Sequence, residues 1–290
     1  MSSAKIIRQK IKSVTSTRKI TTAMHMVSAS KMRKAQEEMF AMRPYVVKVR
    51  ELALNLLSLA KDYRHTYVFG NGAVPSSTGF IVISTDKGLC GGLNSNLFRS
   101  LLKSIDDLRL SIDSDCRVAT IGERAYSFVR RTGFNVEAHV SLTGYQDNFS
   151  GILAVAKSML CLFDRNEISR LFILFNRFEN TMKQVPKLLQ LLPIQTIEDT
   201  AINSKRRDCI FEPSETELVD LLLERYIESL VFESVAEHNS SEQSARMVAM
   251  KAASDNAGDF IDYLKLEYNK SRQAAITKEL SEIVGGSSVL

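Results

Sequence analysis

Residues 4–60 read AKIIRQKIKSVTSTRKITTAMHMVSASKMRKAQEEMFAMRPYVVKVRELALNLLSLA. This run holds no glycine and a single proline, Pro44. Its apolar residues recur in steps of three and four. They are Ile7, Ile11 and Val14; Ile20, Met24 and Val27; then Met32, Ala35, Met39, Met42, Val46, Val49 and Ala53. That spacing is helical and close to the 3.5-residue period of a coiled coil. Pro44 is expected to bend the helix without ending it, because the pattern resumes at once. About 55 residues at 1.5 Å rise give a helix on the order of 80 Å long. Such a helix cannot bury its own stripe and needs a partner.

The partner is at the other end of the chain. From Ser214 to Val284 there is no proline, and Gly258 is the only glycine. Leu218, Leu222, Tyr226, Ile227, Leu230, Val231 and Val235 form a strong stripe. Ala245, Ala249, Ala252, Phe260, Tyr263, Ser271 and Ala274 are read as its continuation. About 70 residues would span roughly 105 Å. Pro213, Ser214 and the acids of 212–217 are start signals, and Gly285–Gly286 is the expected stop. Small residues such as Ala23, Ser28, Ala29 and Ala249 allow close approach of two helices. The expected arrangement is an intramolecular antiparallel coiled coil, with helices over 1–60 and 212–287.

Between them, residues 75–200 change period. FIVIST (80–85), RVATI (117–121) and LFILFN (171–176) are short β-branched and aromatic runs, as in buried parallel strands. Helical patterns over 94–108, 123–131 and 151–163 separate them. Strand–helix alternation predicts a doubly wound, Rossmann-like α/β domain. Residues 61–78 and 196–214 are polar and broken, and read as connectors.

Composition narrows the class. The chain has 290 residues, is 44% hydrophobic and carries a net charge of +5. That is too apolar for a disordered chain, and long enough for a substantial core. No window approaches about 18 uncharged apolar residues. The N-terminal segment has no apolar signal core, so secretion is not expected. Cys90, Cys116, Cys161 and Cys209 are widely spaced and read as reduced thiols.

The modest net charge conceals an asymmetry. Residues 1–50 carry twelve Lys/Arg and two Asp/Glu, a local charge of +10. Residues 212–290 carry seven Lys/Arg and fifteen Asp/Glu, a local charge of −8. Three readings of the basic end compete: a nucleic acid or anionic membrane, an acidic protein partner, or the acidic helix of the same chain. Nucleic acid is disfavoured because aromatic residues are not interleaved with the basic ones.

Candidate chemistry is sparse. The turn KGLCGGLN (87–94) follows a strand and precedes a helix, where an α/β fold places a phosphate cradle. It matches neither G-x-G-x-x-G nor G-x-x-x-x-G-K-[ST]. His25, His65, His139 and His238 show no metal spacing, and no hydrolase or metalloprotease signature is present. No cofactor, metal or catalytic residue is expected. A coiled-coil nucleic-acid binder and an α/β enzyme with helical appendages remain as alternatives.

Both termini carry more specific signatures. AKIIR (4–8) and TRKITTAMHMVSASKMRKA (17–35) stand at one end; EQSARMVAMKAASDNA (242–257) and YNKSRQAAITKELSEIVGG (268–286) stand at the other. Together with the glycine turn over 86–94, these closely resemble the gamma subunits of F-type ATP synthases, over essentially the whole chain. The resemblance implies a non-catalytic rotary shaft in a hexamer of alternating alpha and beta subunits. Its foot would meet the epsilon subunit and the membrane ring of c subunits. Proton flow would turn ring and shaft, driving ATP synthesis at the beta sites, with regulation of ATPase activity. The absence of a transit segment suggests a bacterial form, peripheral on the cytoplasmic side of the inner membrane.

The resemblance also implies residue roles. Lys10, Arg18, Met24, His25, Arg33 and Lys34 fall near the acidic beta lever. Arg272, Gln273, Thr277 and Glu279 match positions that meet the beta loop grasping the shaft. Phe211 and Glu212 match the segment near the c ring or epsilon. His25 departs from the family, many members of which carry an acid there.

Overall fold

The computed structural model describes residues 2–59, 65–70, 77–110, 115–142, 149–194 and 215–287. Phe211, Glu212 and the connector 196–214 lie outside the described residues. By packing the chain divides into two compact units, Met1–Ser30 with Arg246–Leu290, and Lys31–Ala245. Two long helices contribute to both: α1 (Ser2–Leu59), which continues through Pro44, and α6 (Glu215–Ser287), which continues through Gly285 and Gly286 to Ser287.

In the first unit α1 and α6 run antiparallel. The Thr22 hydroxyl is 2.7 Å from that of Ser254, and Arg18 lies over Gly258. The seam of α1 keeps an alternating four–three count at Ile7, Ile11, Val14, Arg18, Thr21, His25 and Ser28. Ser28 is buried, while Ile20 (61% exposed) and Val27 (55% exposed) point outward. The stripe read through Ile20 and Val27 is therefore displaced by one residue. The heptad count continues from Val14 through polar and small side chains, and the apolar pair occupies the neighbouring row. The same correction applies to α6. Its seam is Met250, Ser254, Ala257, Ile261, Leu264, Tyr268, Ser271 and Ala275, whereas Ala252, Phe260, Tyr263 and Ala274 are exposed. On α6 the seam row still holds large side chains at Met250, Ile261, Leu264 and Tyr268, and the stripe was read beside that row.

In the second unit a five-stranded sheet has the order β3-β2-β1-β4-β5. Its strands are β1 (Thr78–Ile83), β2 (Cys116–Ile121), β3 (Asn135–Val140), β4 (Arg170–Asn180) and β5 (Lys183–Leu192). The first four are parallel and β5 returns antiparallel to β4. The intervening helices are α2 (Thr66–Phe69), α3 (Leu93–Asp107), α4 (Glu123–Thr132) and α5 (Phe149–Asp164). The sheet is covered on both faces, as the alternating grammar predicts. Phe80, Val82, Val118 and Leu174 pack with Leu97 and Leu101 of α3 and Val129 of α4. Ile81, Ile83, Ile121 and Ile173 pack with α5, with Val49 and Ala53 of α1, and with Leu223, Ile227 and Val231 of α6.

Two strands and one short helix go beyond the sequence reading. β3 and β5 are the sheet edges, and α2 lies within the stretch read as a connector. β5 holds Pro186, tolerated there because an edge strand has one side without ladder partners. The β4–β5 turn is closed by Asn180, whose Oδ1 accepts from the amides of Met182 (2.9 Å) and Lys183 (2.8 Å).

Among the described residues, one ion pair links the basic end of α1 to the acidic helix α6. Arg43 reaches Glu237 at 3.1 Å, between α1 and α6. Lys5, Arg8, Lys10, Lys12, Arg18 and Lys19 of the first unit are exposed.

Candidate functional site

An open α/β sheet offers ligands the crevice beyond the carboxyl ends of its parallel strands, next to a helix N-terminus. Here that place is filled by the chain's own side chains. The Asp86 carboxylate accepts from the Glu123 amide (2.9 Å) and from the Ser141 hydroxyl (2.9 Å). Ser84 Oγ accepts from the Ala125 amide at 2.7 Å, and the Arg124 amide donates to Thr85 O at 3.1 Å. The first amides of α4, which would face an anion, are thus all engaged.

The glycine turn is closed in the same way. Asn94 Nδ2 donates to Thr85 Oγ1 at 2.7 Å, and that hydroxyl donates to Lys87 O at 2.7 Å. Cys90 is buried, with its Sγ 3.5 Å from Asn94 Nδ2. Its partners here include groups of the turn itself, Thr85 and Asn94, so the arrangement is that of a tight turn. Among the described residues no group of His, Cys, Asp and Glu has metal-site geometry.

His65 and His139 both sit among polar partners. His65 Nδ1 accepts from the Tyr67 amide at 3.0 Å and its Nε2 lies 3.3 Å from Asp220 Oδ1. His139 Nδ1 lies 3.0 Å from Thr120 Oγ1 and its Nε2 lies 3.4 Å from Glu123 Oε2, with Tyr126 stacked on the ring. Thr120 is fully buried, so its hydroxyl is closed to a substrate, and the trio ties β2, β3 and α4 together.

The surface offers more than the interior. Each residue singled out in the sequence can be placed on its helix. Met24 and His25 are half-buried at the α1 seam of the first unit. Arg33 and Lys34 are exposed on α1 in the second unit, Lys34 standing 4.0 Å from Glu38. Arg272, Gln273, Thr277 and Glu279 are all exposed on α6. The two sets in the first unit are not one patch. The pairings 22–254 and 18–258 set Met24 and His25 level with about residue 251 of α6, roughly 30 Å along the axis from Arg272.

The same pairings put residue 272 level with Ala4. Among the described residues no part of α1 stands beside α6 beyond about Ile276, and every residue from Ile276 to Val284 is exposed. Residues 277–287 thus extend as a lone helix for about 16 Å. Its surface alternates polar and apolar groups: Arg272, Gln273, Thr277 and Glu279 stand among Ile276, Leu280, Ile283 and Val284, the last three 57–68% exposed. Sequence reasoning named the polar four, with Ile276 beside them, and missed Leu280, Ile283 and Val284. Their signal was a run of large apolar residues outside the seam register, and contiguous exposed apolar surface marks a docking site.

A helix pair with exposed apolar surface at its end, together with a doubly wound unit whose strand-end crevice is filled by its own side chains, has the make-up of a scaffold that docks onto partners. The sequence model of the ATP synthase family matches residues 3–290. The ATP synthase gamma chain of Azoarcus sp. is 47% identical over 291 residues, covering all of both chains. That of Thiobacillus denitrificans is 48% identical over 295 residues, again covering all of both. Among solved structures, the rotor of Euglena gracilis mitochondrial ATP synthase superposes with a TM-score of 0.63 at 17% identity, covering 95% of this chain and 99% of that one. The central stalk and c-ring structure from Tetrahymena thermophila gives 0.59 at 24% identity, covering 81% and 99%. These structural likenesses show the fold. The chain belongs to the gamma-subunit family of the F-type ATP synthase, the non-catalytic central shaft of that complex.

Proposed function

We propose that this chain is the rotary shaft of a bacterial F-type ATP synthase, peripheral to the cytoplasmic face of the inner membrane. No helix among the described residues is long and apolar enough to cross a membrane, which fits a subunit that meets the membrane sector from outside. The first unit enters the hexamer of alpha and beta subunits. The second unit joins epsilon and the ring of c subunits. Rotation driven by protons presents a different face of the helix pair to each beta site in turn. The shaft does no bond chemistry. It favours one conformation of a beta site over another by differential contact, which is the only way a partner shifts a populated state.

The observation that carries this reading is full-length identity near one half to gamma chains, together with an exposed apolar tip on α6. Met24, His25, Arg33, Lys34, Arg272, Gln273, Thr277 and Glu279 are assigned to beta-subunit contacts. Phe211 and Glu212 are assigned to the c ring or epsilon. Arg272 and Gln273 are suited to charge-assisted and amide hydrogen bonds to a beta loop. The basic outer surface of α1 suits acidic loops of the same subunit.

The test is recovery of the tagged chain from its own membranes in mild detergent. Co-purification with alpha, beta, epsilon and c subunits in one ATPase particle supports the reading. Recovery as a lone protein, or bound to DNA with steep salt dependence, overturns it.

A further inference from the structure

A half-enclosed cavity of about 180 Å³ opens in the second unit between α1, α6 and the β4–β5 hairpin. Its charged lining comes from four elements: Arg43 on α1, Arg177 on β4, Lys187 on β5, and Glu233 and Glu237 on α6. The antiparallel register pairs Phe175 with Lys187 and Arg177 with Val185, so both cations of the hairpin stand on one face of the sheet. Glu237 is buried and engaged by Arg43 at 3.1 Å. The side chains of Arg177, Lys187 and Glu233 line the same space without an ion-pair or hydrogen-bond partner among the described residues.

Arg177 is exposed and Lys187 and Glu233 are half-buried, so two cations tied up in no ion pair among the described residues converge on a half-open space large enough for a small anion. With both glutamates ionised the lining carries +1. With Glu233 protonated it carries +2, and the Glu233 hydroxyl becomes a donor. Burial and the adjacent Glu237 push the Glu233 carboxyl upward, while Arg43, Lys187 and Arg177 oppose this.

We propose that this cavity binds a small tetrahedral oxyanion, phosphate or sulfate, held by Arg177 and Lys187. Glu233 is the gate. Ionised, it competes with the anion for the two cations; protonated, it donates a hydrogen bond to it. Of the other charged groups around Glu233, Glu237 is committed to Arg43, which leaves Arg177 and Lys187 for the ligand. A bound dianion would tie the β4–β5 hairpin to α6 across a gap that protein side chains leave open.

The experiment uses the purified full-length chain and calorimetric titration with sodium sulfate against sodium chloride at equal ionic strength. Sulfate is the probe for the pH series because it stays a dianion throughout. Phosphate is then tested as a competitor in the same samples. Saturable sulfate binding at one site per chain is expected, tighter at pH 5.5 than at pH 7.5. R177Q/K187Q is expected to weaken it at least about tenfold. E233Q is expected to tighten it and to remove the pH dependence. Circular dichroism checks that both variants fold; K187Q alone serves if the double variant does not. No saturable binding, an equal response to chloride, or sulfate binding unchanged by loss of the cations overturns the proposal. An E233Q chain that binds no tighter than the parent overturns the gating role of Glu233.

Discussion

The hydroxyl of Thr22 lies 2.7 Å from the hydroxyl of Ser254, 232 positions further along the chain. Thr22 already donates to the carbonyl of Arg18 at 2.8 Å, so Ser254 is the donor in the pair. This contact fixes the alignment of α1 and α6 in the first unit, at seam level where neither helix supplies a large apolar side chain. A double-mutant cycle with T22A and S254A is expected to give a coupling energy of about 0.5–1 kcal/mol in chemical unfolding of the chain. A coupling near zero would mean that the alignment is set elsewhere.

Four residues from that contact, Gly258 sits in a helix interior with the Arg18 guanidinium 3.4 Å from the place a Cβ would take. That is ordinary contact with the flexible end of a side chain. G258A is therefore expected to stabilise the chain, by about 0.5–1 kcal/mol through helix propensity. A loss of stability in the same unfolding assay would show that Arg18 cannot yield.

Gly122 is the opposite case. Its φ is +103°, and an added Cβ would fall 2.1 Å from the carbonyl oxygen of Ser84. That oxygen is backbone at the end of a buried strand and cannot move aside. G122A is expected to cost about 3 kcal/mol or more, read as a lowered denaturation midpoint.

His238 is fully buried on α6, and its Nδ1 accepts from the Asn176 amide at 3.4 Å. The neutral ring therefore carries its hydrogen on Nε2. Burial lowers its pKa from 6.5 to about 3, so the folded chain stays unprotonated where the unfolded chain takes up a proton. The contribution of neutral His238 is intact above pH 6.5 and declines as pH falls toward 3. Between pH 6.5 and 4.5 the loss is on the order of 2–3 kcal/mol. H238Q should show a shallower decline over this range than the parent, and identical slopes would refute the assignment.

The α6 tip separates stability from function. Leu280 and Ile283 are exposed, so L280S/I283S is expected to change the stability of the isolated chain by less than about 0.5 kcal/mol. The same change should impair ATP-driven proton pumping in inverted vesicles carrying the assembled complex. R272A/Q273A should impair coupled synthesis likewise, with the fold intact. Full activity in both variants would remove the tip from the docking surface.

How far the sequence could be read follows from what each element buries. The long helices were legible because a four–three stripe persisted for dozens of residues. On α1 the stripe misled where the seam turned polar, at Arg18, Thr21, His25 and Ser28, and Ile20 and Val27 offered a false continuation; on α6 the exposed Phe260 and Tyr263 did the same beside the true seam residues Ile261 and Leu264. The central strands showed as unbroken apolar runs because both their faces are covered. β3 (NVEAHV) and β5 (KQVPKLLQLL) were missed because edge strands are half-buried and carry charge or proline. The closing of the ligand crevice by Asp86 was not visible, since it joins residues 86, 123 and 141 through space. The residues proposed to contact the beta subunits were legible by resemblance alone, because a polar exposed helical face has no periodic signal of its own.

The lone stretch of α6 beyond Ile276 has a consequence for assembly. An isolated helical segment of about a dozen residues is marginal in water. In the free subunit its last turns should therefore fray and exchange amide hydrogens rapidly, while the paired region stays protected. Enclosure by a sleeve of partner subunits would supply the missing tertiary support, so part of the binding energy is spent on ordering this tip. Insertion and folding of the end are then one event, and the subunit completes its own structure only inside its bearing.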